Sequence, residues 1–127
     1  MQLTKNFPTS VLIIDDDEFS REILHRMFQE WGVPIIHTIN DGIHAVPYLT
    51  CHPTELIVTD IFMEYMDGIS LINELIEIKY TGRIVFISGE SPAFLEVAAM
   101  VSAHKNLKIV AALVKPVPRD KLFRAIS

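Results

Sequence analysis

The stretch Val11-Leu12-Ile13-Ile14-Asp15-Asp16-Asp17 decides the fold, because four apolar residues are followed at once by three carboxylates. A short, continuous apolar run that is rich in β-branched residues predicts a strand buried on both faces. Similar runs recur along the chain and leave room for a helix between one run and the next. Four further strands are predicted at Ile35-Ile36, Leu56-Ile57-Val58, Ile84-Val85-Phe86-Ile87 and Ile109 to Val114.

Residues with the period of a helix lie between these runs. Phe19, Ile23, Met27 and Trp31 recur at four-residue steps, which predicts an amphipathic helix that Gly32 ends. Strands that alternate with helices indicate a doubly wound α/β fold, with a five-stranded parallel sheet and five helices on both faces. The other helices are predicted from Asp41 to Leu49, from Ile69 to Lys79, from Ser91 onward, and from Pro118 to the C-terminus.

Length and composition restrict the class of protein. The 127 residues suffice for one domain, expected to span residues 1–127, and with 50% hydrophobic residues they are not a disordered tail. The single cysteine, Cys51, excludes a disulfide framework. No apolar run approaches the ~20 residues of a membrane helix, and the N-terminus does not resemble a signal peptide, so a cytoplasmic location is expected. A net charge of −5 argues against direct binding of nucleic acid.

The last predicted helix ends soon after it begins, which leads us to expect that this domain was cut from a longer protein.

Polar side chains stand where the predicted strands end. Ligands of an open parallel sheet bind beyond the carboxyl ends of its strands, so these side chains are expected to share one crevice. Carboxylates that are brought together repel one another, and Mg²⁺, which prefers oxygen ligands, is their natural neutraliser. The residues are Asp15-Asp16-Asp17-Glu18 after the first strand, Thr59-Asp60 after the third, Ser88-Gly89 after the fourth and Lys115-Pro116 after the fifth.

The same set of side chains predicts phosphoryl chemistry. Lys115 can pair with a carboxylate in the empty site and with a phosphoryl oxygen in the filled one, and Ser88 can hydrogen-bond the same group. A carboxylate that lies beside Mg²⁺ and a lysine is suited to attack phosphorus and form an acyl phosphate.

Four separated motifs resemble those of response-regulator receiver domains. They occur in the same order and at the same strand ends as in that family, and the resemblance covers nearly all of the chain. It implies a flavodoxin-like sheet with the strand order 2-1-3-4-5 and a cis Lys115–Pro116 bond. The motifs are Val11 to Asp17 with its acidic pair, Val58 to Met63 followed by Met66-Asp67-Gly68, Ile87-Ser88, and Lys115-Pro116.

The resemblance also implies a role for each site residue. Asp60 would accept a phosphoryl group from a histidine kinase or a phosphotransfer protein, and Ser88 and Lys115 would contact the phosphoryl oxygens. The chain would act as a signalling domain and not as an enzyme. Its expected partners include an output domain or a downstream effector, and a homodimer that depends on phosphorylation is a further option. The implied Mg²⁺ ligands are Asp15, Asp16, Asp60 and the backbone carbonyl of Phe62.

The chain departs from the family pattern in three places: at Ala112, at Glu64, where proline is common, and in the length of the stretch from Ser88 to Lys115. Ala112 stands three residues before Lys115, where the family often has an aromatic residue that swings inward on activation, so this aromatic switch is absent. The stretch from Ser88 to Lys115 is longer than expected, which predicts a longer helix or an extended loop. This longer form is similar to receivers that precede cyclic-di-GMP phosphodiesterase domains.

Two other functions match parts of the pattern. Haloacid-dehalogenase-like phosphohydrolases also use an Mg²⁺-bound aspartate, but they require Thr or Val where Phe19 stands, and they need a cap domain for which this chain has no room. A receiver-like binding module that is never phosphorylated would not require the complete set of site residues. In isolation, the acidic run would be interpreted as a solvated turn, and Asp17 and Glu18 are expected to cap the first helix.

Overall fold

The computed structural model describes residues 7–61, 68–89 and 106–127, with side chains from Ser70 onward in the second range. Within these ranges, five parallel strands form one sheet in the order β2-β1-β3-β4-β5. The predicted parallel sheet and its strand order are confirmed. The strands are β1 (Ser10–Ile14), β2 (Ile35–Ile39), β3 (Leu56–Asp60), β4 (Arg83–Ser88) and β5 (Lys108–Val114).

Helices cover both faces of the sheet, as the alternation of strands and helices predicts. The first and last helices pack on one face, and the second and third pack on the other. The helix predicted from Ser91 lies outside the described residues, so four of the five predicted helices are described. They are α1 (Glu18–Glu30), α2 (Ala45–Cys51), α3 (Gly68–Glu77) and α4 (Arg119–Ile126).

The continuous apolar run of β1 reflects burial on both sides of the sheet. All five residues of β1 are buried, and successive side chains point to opposite faces. Val11 and Ile13 belong to the core that contains residues of α1 and α4. Leu12 and Ile14 belong to the core that contains residues of α2 and α3. Because neither face of β1 meets water, its sequence shows no alternation of polar and apolar residues.

The second helix begins later than predicted. It was expected from Asp41, but the Asp41 carboxylate instead caps a 3₁₀ turn over Gly42–His44 and accepts the His44 N–H at 3.2 Å. The α-helix starts at Ala45, which places Pro47 in its first turn. A proline is tolerated there because its missing N–H has no partner within the helix.

Two other helix ends differ from the prediction by one or two residues. α3 was expected to reach Lys79 but ends at Glu77, and Lys79 adopts a left-handed φ of 57°. α1 ends at Glu30, with Trp31 as its C-terminal cap. Gly32 follows with φ of 83°, which is the conformation that makes glycine a common helix stop.

The pairing of β4 with β5 contains a β-bulge that the apolar pattern does not indicate. Ile84 pairs with Ile109, but its neighbour Val85 pairs with Ala111, so Val110 is an additional residue in β5. A bulge of this kind inserts one residue into a strand and changes the face to which the following side chains point.

This bulge determines the level at which β5 ends. With regular pairing from Ile84 onward, Ser88 would lie opposite Leu113, whereas in the structure it pairs with Val114. The next residue, Lys115, therefore follows directly beside the end of β4, and its N–H donates to the Ser88 carbonyl at 2.7 Å.

A cluster of aromatic rings joins α1 to α4. The ring centroid of Trp31 lies 6.3 Å from that of Phe7, 5.2 Å from that of Phe28 and 5.3 Å from that of Phe123. The guanidinium carbon of Arg119 lies 5.3 Å from the centre of the Trp31 ring, a cation–π contact. The cluster thus packs the segment before β1 and the C-terminal helix against the end of α1.

Among the residues described, no helix has both the length and the apolar character needed to cross a bilayer.

The two phenylalanines of α1 provide a test of the packing. Phe28 is 0% exposed and Phe19 is 69% exposed. We expect Phe28→Ala to lower the free energy of unfolding by about 3–5 kcal/mol, since it removes a fully buried ring. Phe19→Ala, on the same helix, should change it by less than about 0.5 kcal/mol. Urea unfolding followed by circular dichroism measures both values, and equal losses would contradict the assignment of Phe28 to the core.

Candidate functional site

The carboxyl ends of the central strands bring three acidic side chains together. Asp15 follows β1, Asp16 comes next, and Asp60 is the last residue of β3. One carboxylate oxygen from each lies within 4.8 Å of the other two. Asp15 and Asp60 are buried and Asp16 is exposed, so the cluster opens toward solvent on the side of Asp16. In the part of the chain described, this is the single group of three or more potential metal ligands.

Lys115 lies between two of these carboxylates. Its Nζ is 2.9 Å from Asp15 Oδ2 and 2.9 Å from Asp60 Oδ2, and it donates a hydrogen bond to the latter. The residue follows β5, two strands away from Asp60 in the sheet, so the contact depends on the position at which β5 ends. The ammonium offsets one of the three negative charges, so the three carboxylates and Lys115 together carry a net charge of −2.

The pKa of Lys115 is raised by this arrangement. Burial is the largest influence and lowers the pKa, but the hydrogen bond to Asp60, the contact with Asp15 and the charges of both carboxylates outweigh it. Lys115 therefore carries its charge throughout the physiological pH range. The stabilisation that it contributes is complete below its ordinary pKa and is lost as the pH rises through the raised one.

Asp15 is held by contacts around its backbone and its carboxylate. Its N–H donates to the carbonyl of Ile39 at 3.2 Å, and its carbonyl accepts from Arg21 Nη1 at 2.7 Å. Asp15 Oδ1 accepts the N–H of Asp17 at 2.9 Å. Its other oxygen, Oδ2, is buried and accepts no well-aligned hydrogen bond in the described part of the chain, although Lys115 is close.

Asp17, the third residue of the acidic run, serves the helix that follows. Its Oδ2 accepts the Ser20 N–H at 3.2 Å and the Ser20 hydroxyl at 2.8 Å, which makes it the N-terminal cap of α1. The hydrogen bond from the Ser20 side chain is the largest cause of a lowered pKa at Asp17. The run of three acids thus divides into two residues of the cluster, Asp15 and Asp16, and one helix cap.

Ser88 lies at the same edge of the sheet. It is the last residue of β4, is fully buried, and its carbonyl accepts the Lys115 N–H. The Ile61 N–H donates to the carbonyl of Ile87 at 3.0 Å, so pairing between the two strands continues past Asp60. The Lys115–Pro116 bond is cis, as the resemblance implies. The proposed carbonyl ligand Phe62 lies outside the described residues.

The side chains of the cluster suit a hard divalent cation such as Mg²⁺. All three potential ligands are carboxylates, which Mg²⁺ prefers, and the exposed side near Asp16 leaves space for water or phosphate oxygens. Asp15 Oδ2 is buried and lies 2.9 Å from Lys115 Nζ without a well-aligned hydrogen bond, so its lone pairs could also bind a metal cation. The two negative charges that Lys115 leaves equal the charge of one Mg²⁺. The residues present therefore fit the ion.

The region around Ala112 is also described. Ala112 pairs with Phe86 of β4 and packs at the edge of the core that contains α2 and α3. An aromatic ring is thus provided by the neighbouring strand and not by β5, and Phe86 is fully buried. The expectation that no aromatic residue of β5 acts as a switch at this position follows from the sequence and stays a prediction.

Sequence inspection assigned Arg21 to the polar side of α1 and missed its contact with Asp15. The position of Arg21 in the sequence could have indicated this contact, because Arg21 lies one turn after the cap Asp17 and side chains on a helix point back toward its N-terminus.

The histidines form no metal site in the described ranges. His37, Tyr48 and His52 instead form a stack, with ring centroids 4.1 Å and 4.3 Å apart.

Comparisons with known proteins point to a single family. Residues 11–127 match the family model described as the response regulator receiver domain. The chain is 27% identical over 117 residues to the chemotaxis protein CheY of Bacillus subtilis, covering 92% of this chain and 93% of that protein. It is 31% identical over 120 residues to the transcriptional regulatory protein PdtaR of Mycobacterium tuberculosis, covering 94% of this chain and 56% of that protein.

Among solved structures, the receiver domain of a Francisella response regulator superposes with a TM-score of 0.75 at 26% identity. The match covers 91% of this chain and 92% of that one.

The contact of Lys115 with two carboxylates can be tested by removing its charge. In the presence of EDTA, Lys115→Met should lower the free energy of unfolding by about 3 kcal/mol, because two buried carboxylates lose their cation. Saturating Mg²⁺ should raise the melting temperature more in this variant than in the wild type. Lys121→Met removes an equal charge from an exposed position on α4. It should change neither the free energy of unfolding nor the rise in melting temperature that Mg²⁺ produces. An equal effect of Mg²⁺ on all three proteins, measured by differential scanning calorimetry, would contradict this prediction.

Proposed function

The chain belongs to the response-regulator receiver domain family, and from this premise we propose that it is a switch in which Asp60 accepts a phosphoryl group in an Mg²⁺-dependent reaction. Receiver domains act in two-component signalling and are not enzymes in the usual sense. The observation that carries the proposal is the position of Lys115, whose ammonium lies 2.9 Å from both Asp15 and Asp60 within the acidic cluster. A cation in this position can transfer its contact from a carboxylate to an incoming phosphoryl oxygen.

The proposed reaction is a phosphoryl transfer between two side chains. A carboxylate oxygen of Asp60 attacks the phosphorus of a phosphohistidine, the N–P bond breaks as the O–P bond forms, and the leaving nitrogen keeps the electron pair and takes a proton from solvent, so that a neutral imidazole departs. The product is an acyl phosphate on Asp60. Water later attacks its phosphorus, which releases inorganic phosphate and restores the carboxylate.

The chain's own residues would stabilise the charge of the transferred group. Lys115 Nζ would leave Asp60 Oδ2 and pair with a phosphoryl oxygen, and the Ser88 hydroxyl would donate to another. Asp15 and Asp16, together with Asp60 and the carbonyl of Phe62, would hold Mg²⁺. When bound, Mg²⁺ would neutralise charge and orient the phosphoryl oxygens, which is the main contribution to catalysis of this type of transfer.

The phosphohistidine donor would approach over the beginning of α1. A cavity of about 300 Å³ lies beside Lys115 and is lined mainly by apolar side chains, among them Phe19, Ile23, Pro116 and Val117. Phe19 and Ile23 are exposed by 69% and 39%, and because they lie one turn apart on α1 they form an exposed apolar pair. We assign this surface to a histidine kinase or phosphotransfer protein, whose histidine must come within bonding distance of Asp60.

Phosphorylation would change the surface near β5. Ser88 and Lys115 belong to neighbouring strand ends and are joined by a main-chain hydrogen bond of 2.7 Å. Because β5 is the edge strand of the sheet, a movement of these two residues reaches the surface formed with α4. The proposed partners of that surface are an output domain or a downstream effector, with a phosphorylation-dependent homodimer as a further state.

The proposed location is the cytoplasm. An association with cyclic-di-GMP phosphodiesterase domains stays a prediction.

The cap formed by Asp17 counts against a phosphohydrolase of the haloacid-dehalogenase type. Such enzymes use two aspartates separated by one residue, which here would be Asp15 and Asp17. The hydrogen bonds from Ser20 direct the Asp17 carboxylate to the N-terminus of α1. The acidic cluster instead includes Asp16, in agreement with the receiver proposal.

Intact mass spectrometry tests the proposal. After incubation with acetyl phosphate and Mg²⁺, the wild type should gain a labile adduct of ~80 Da, the mass of one phosphoryl group, through acyl-phosphate formation. Asp60→Asn should gain none, because its amide is not a nucleophile. Asp120→Asn, which changes an exposed acid of α4 that is not part of the acidic cluster, should behave as the wild type. An adduct that persists in Asp60→Asn, or that forms equally well in EDTA, would exclude Asp60 as an Mg²⁺-dependent acceptor.

The role of Lys115 as the contact that moves gives a second prediction. In Lys115→Met, Mg²⁺ should still bind and Asp60 should still be modified, though more slowly. The amide chemical shifts of Ser88 and of residues 108–114 should then respond to acetyl phosphate in the wild type and not in the variant, as measured by ¹H–¹⁵N correlation spectra. Identical shift changes in both proteins would show that the signal does not pass through Lys115.

A further inference from the structure

Asp16 is the least restrained of the three clustered acids. Its side chain is exposed, and across residues 7–61, 68–89 and 106–127 its carboxylate has no hydrogen bond or ion pair. Asp15 contacts Lys115 and accepts a hydrogen bond from Asp17, and Asp60 contacts Lys115. The direction of the Asp16 carboxylate therefore depends on how its backbone is held.

Arg21 holds the peptide unit that precedes Asp16. Its Nη1 donates to the Asp15 carbonyl at 2.7 Å, and a hydrogen bond from a charged donor is stronger than a neutral one. A peptide unit is planar, so a restrained Asp15 carbonyl also restrains the N–H and the Cα of Asp16. On the other side of Asp16, the N–H of Asp17 is bound to Asp15 Oδ1 at 2.9 Å.

The geometry of α1 explains why this arginine can reach the loop. Asp17 caps the helix, and the Arg21 N–H closes the first helical turn by donating to the Asp17 carbonyl at 3.0 Å. The Cα–Cβ bonds of a helix tilt toward its N-terminus, so a long side chain one turn inside extends back over the preceding loop. The helix cap and the arginine thus hold the same three-residue loop.

We propose that Arg21 is a positioning residue that directs the Asp16 carboxylate toward the Mg²⁺ position shared with Asp15 and Asp60. The inference rests on the proposed Mg²⁺ site and extends it to a residue that is not a ligand. Groups that orient metal ligands in this way affect metal affinity nearly as strongly as some ligands do.

The sign of the effect separates positioning from simple electrostatics. A positive charge near a cation site repels the cation, so loss of the Arg21 charge would by itself tighten Mg²⁺ binding. Loss of a restraint on Asp16 would weaken binding. The two explanations therefore predict opposite changes in the dissociation constant of Mg²⁺ when Arg21 is replaced by an uncharged residue.

Isothermal titration with Mg²⁺ measures this change. We expect Arg21→Met to weaken Mg²⁺ binding by roughly 10-fold, the range found for residues that orient metal ligands. Arg21→Lys, which keeps the charge and one donor, should recover part of the affinity. Arg26→Met removes the same charge from an exposed position on the same helix and should bind Mg²⁺ as the wild type does. Unchanged or tighter binding by Arg21→Met would overturn the proposal.

A second measurement needs no metal. In EDTA, the amide hydrogen of Asp17, which is bound to Asp15 Oδ1, should exchange faster in Arg21→Met than in Arg26→Met, while amides in β1 and β3 keep their wild-type rates. Faster exchange throughout the sheet, with a lower melting temperature, would indicate a general role in stability and would overturn the proposal. If the wild type itself fails to bind Mg²⁺, the proposed function fails, and the exchange rates then decide the role of Arg21 independently.

Discussion

The ammonium of Lys115, placed 2.9 Å from two buried carboxylates, is the interaction on which the arrangement of the site depends. Asp15 and Asp60 are 0% and 6% exposed, and two negative charges at this depth repel each other strongly unless a cation lies between them. The three residues come from three different strands. β1, β3 and β5 must therefore end at the same level of the sheet, because otherwise the ammonium would not lie between the two buried carboxylates.

The positive charge of Lys115 neutralises the acidic cluster incompletely, and this makes the site responsive to other cations and to phosphoryl groups. One ammonium balances one of three carboxylates, which favours the arrival of a divalent cation. A phosphoryl group would then bring new negative charge and compete for the same ammonium. The contact that stabilises the resting arrangement is thus the contact that the proposed reaction would break, and Lys115 is bound through its main chain to Ser88 on the neighbouring strand.

Much of the fold could be predicted from sequence because the central strands are buried on both faces. β1, β3 and β4 each contain a continuous run of at least three apolar residues, and these runs predicted the positions of the strands. β2 was predicted as Ile35-Ile36 but extends to Ile39, since an edge strand is partly exposed and tolerates His37 and Thr38. The bulge at Val110 could not be predicted, because an extra apolar residue in an apolar run leaves no mark on the pattern.

The candidate site shows the same division. Its acids and its lysine could be predicted from their positions after the strands, because parallel strands place their carboxyl ends at one edge. The division of the acidic run was predictable as well: Asp15 and Asp16 were expected to lie with Asp60, and Asp17 was expected to cap α1, as its hydrogen bonds with Ser20 show. The contact of Arg21 with a backbone carbonyl involves no charged partner, so a search for pairs of opposite charge misses it.

The aromatic cluster at the end of α1 gives the molecule a built-in optical probe. Trp31 is the only tryptophan in the sequence and is 2% exposed, so its emission reports the environment among Phe7, Phe28 and Phe123. α1 has 13 residues, which places this indole roughly 20 Å along the helix from the acidic loop. Fluorescence of the native protein therefore follows the packing of the segment before β1 and of α4 against α1, and a signal from the acidic cluster requires a label introduced there.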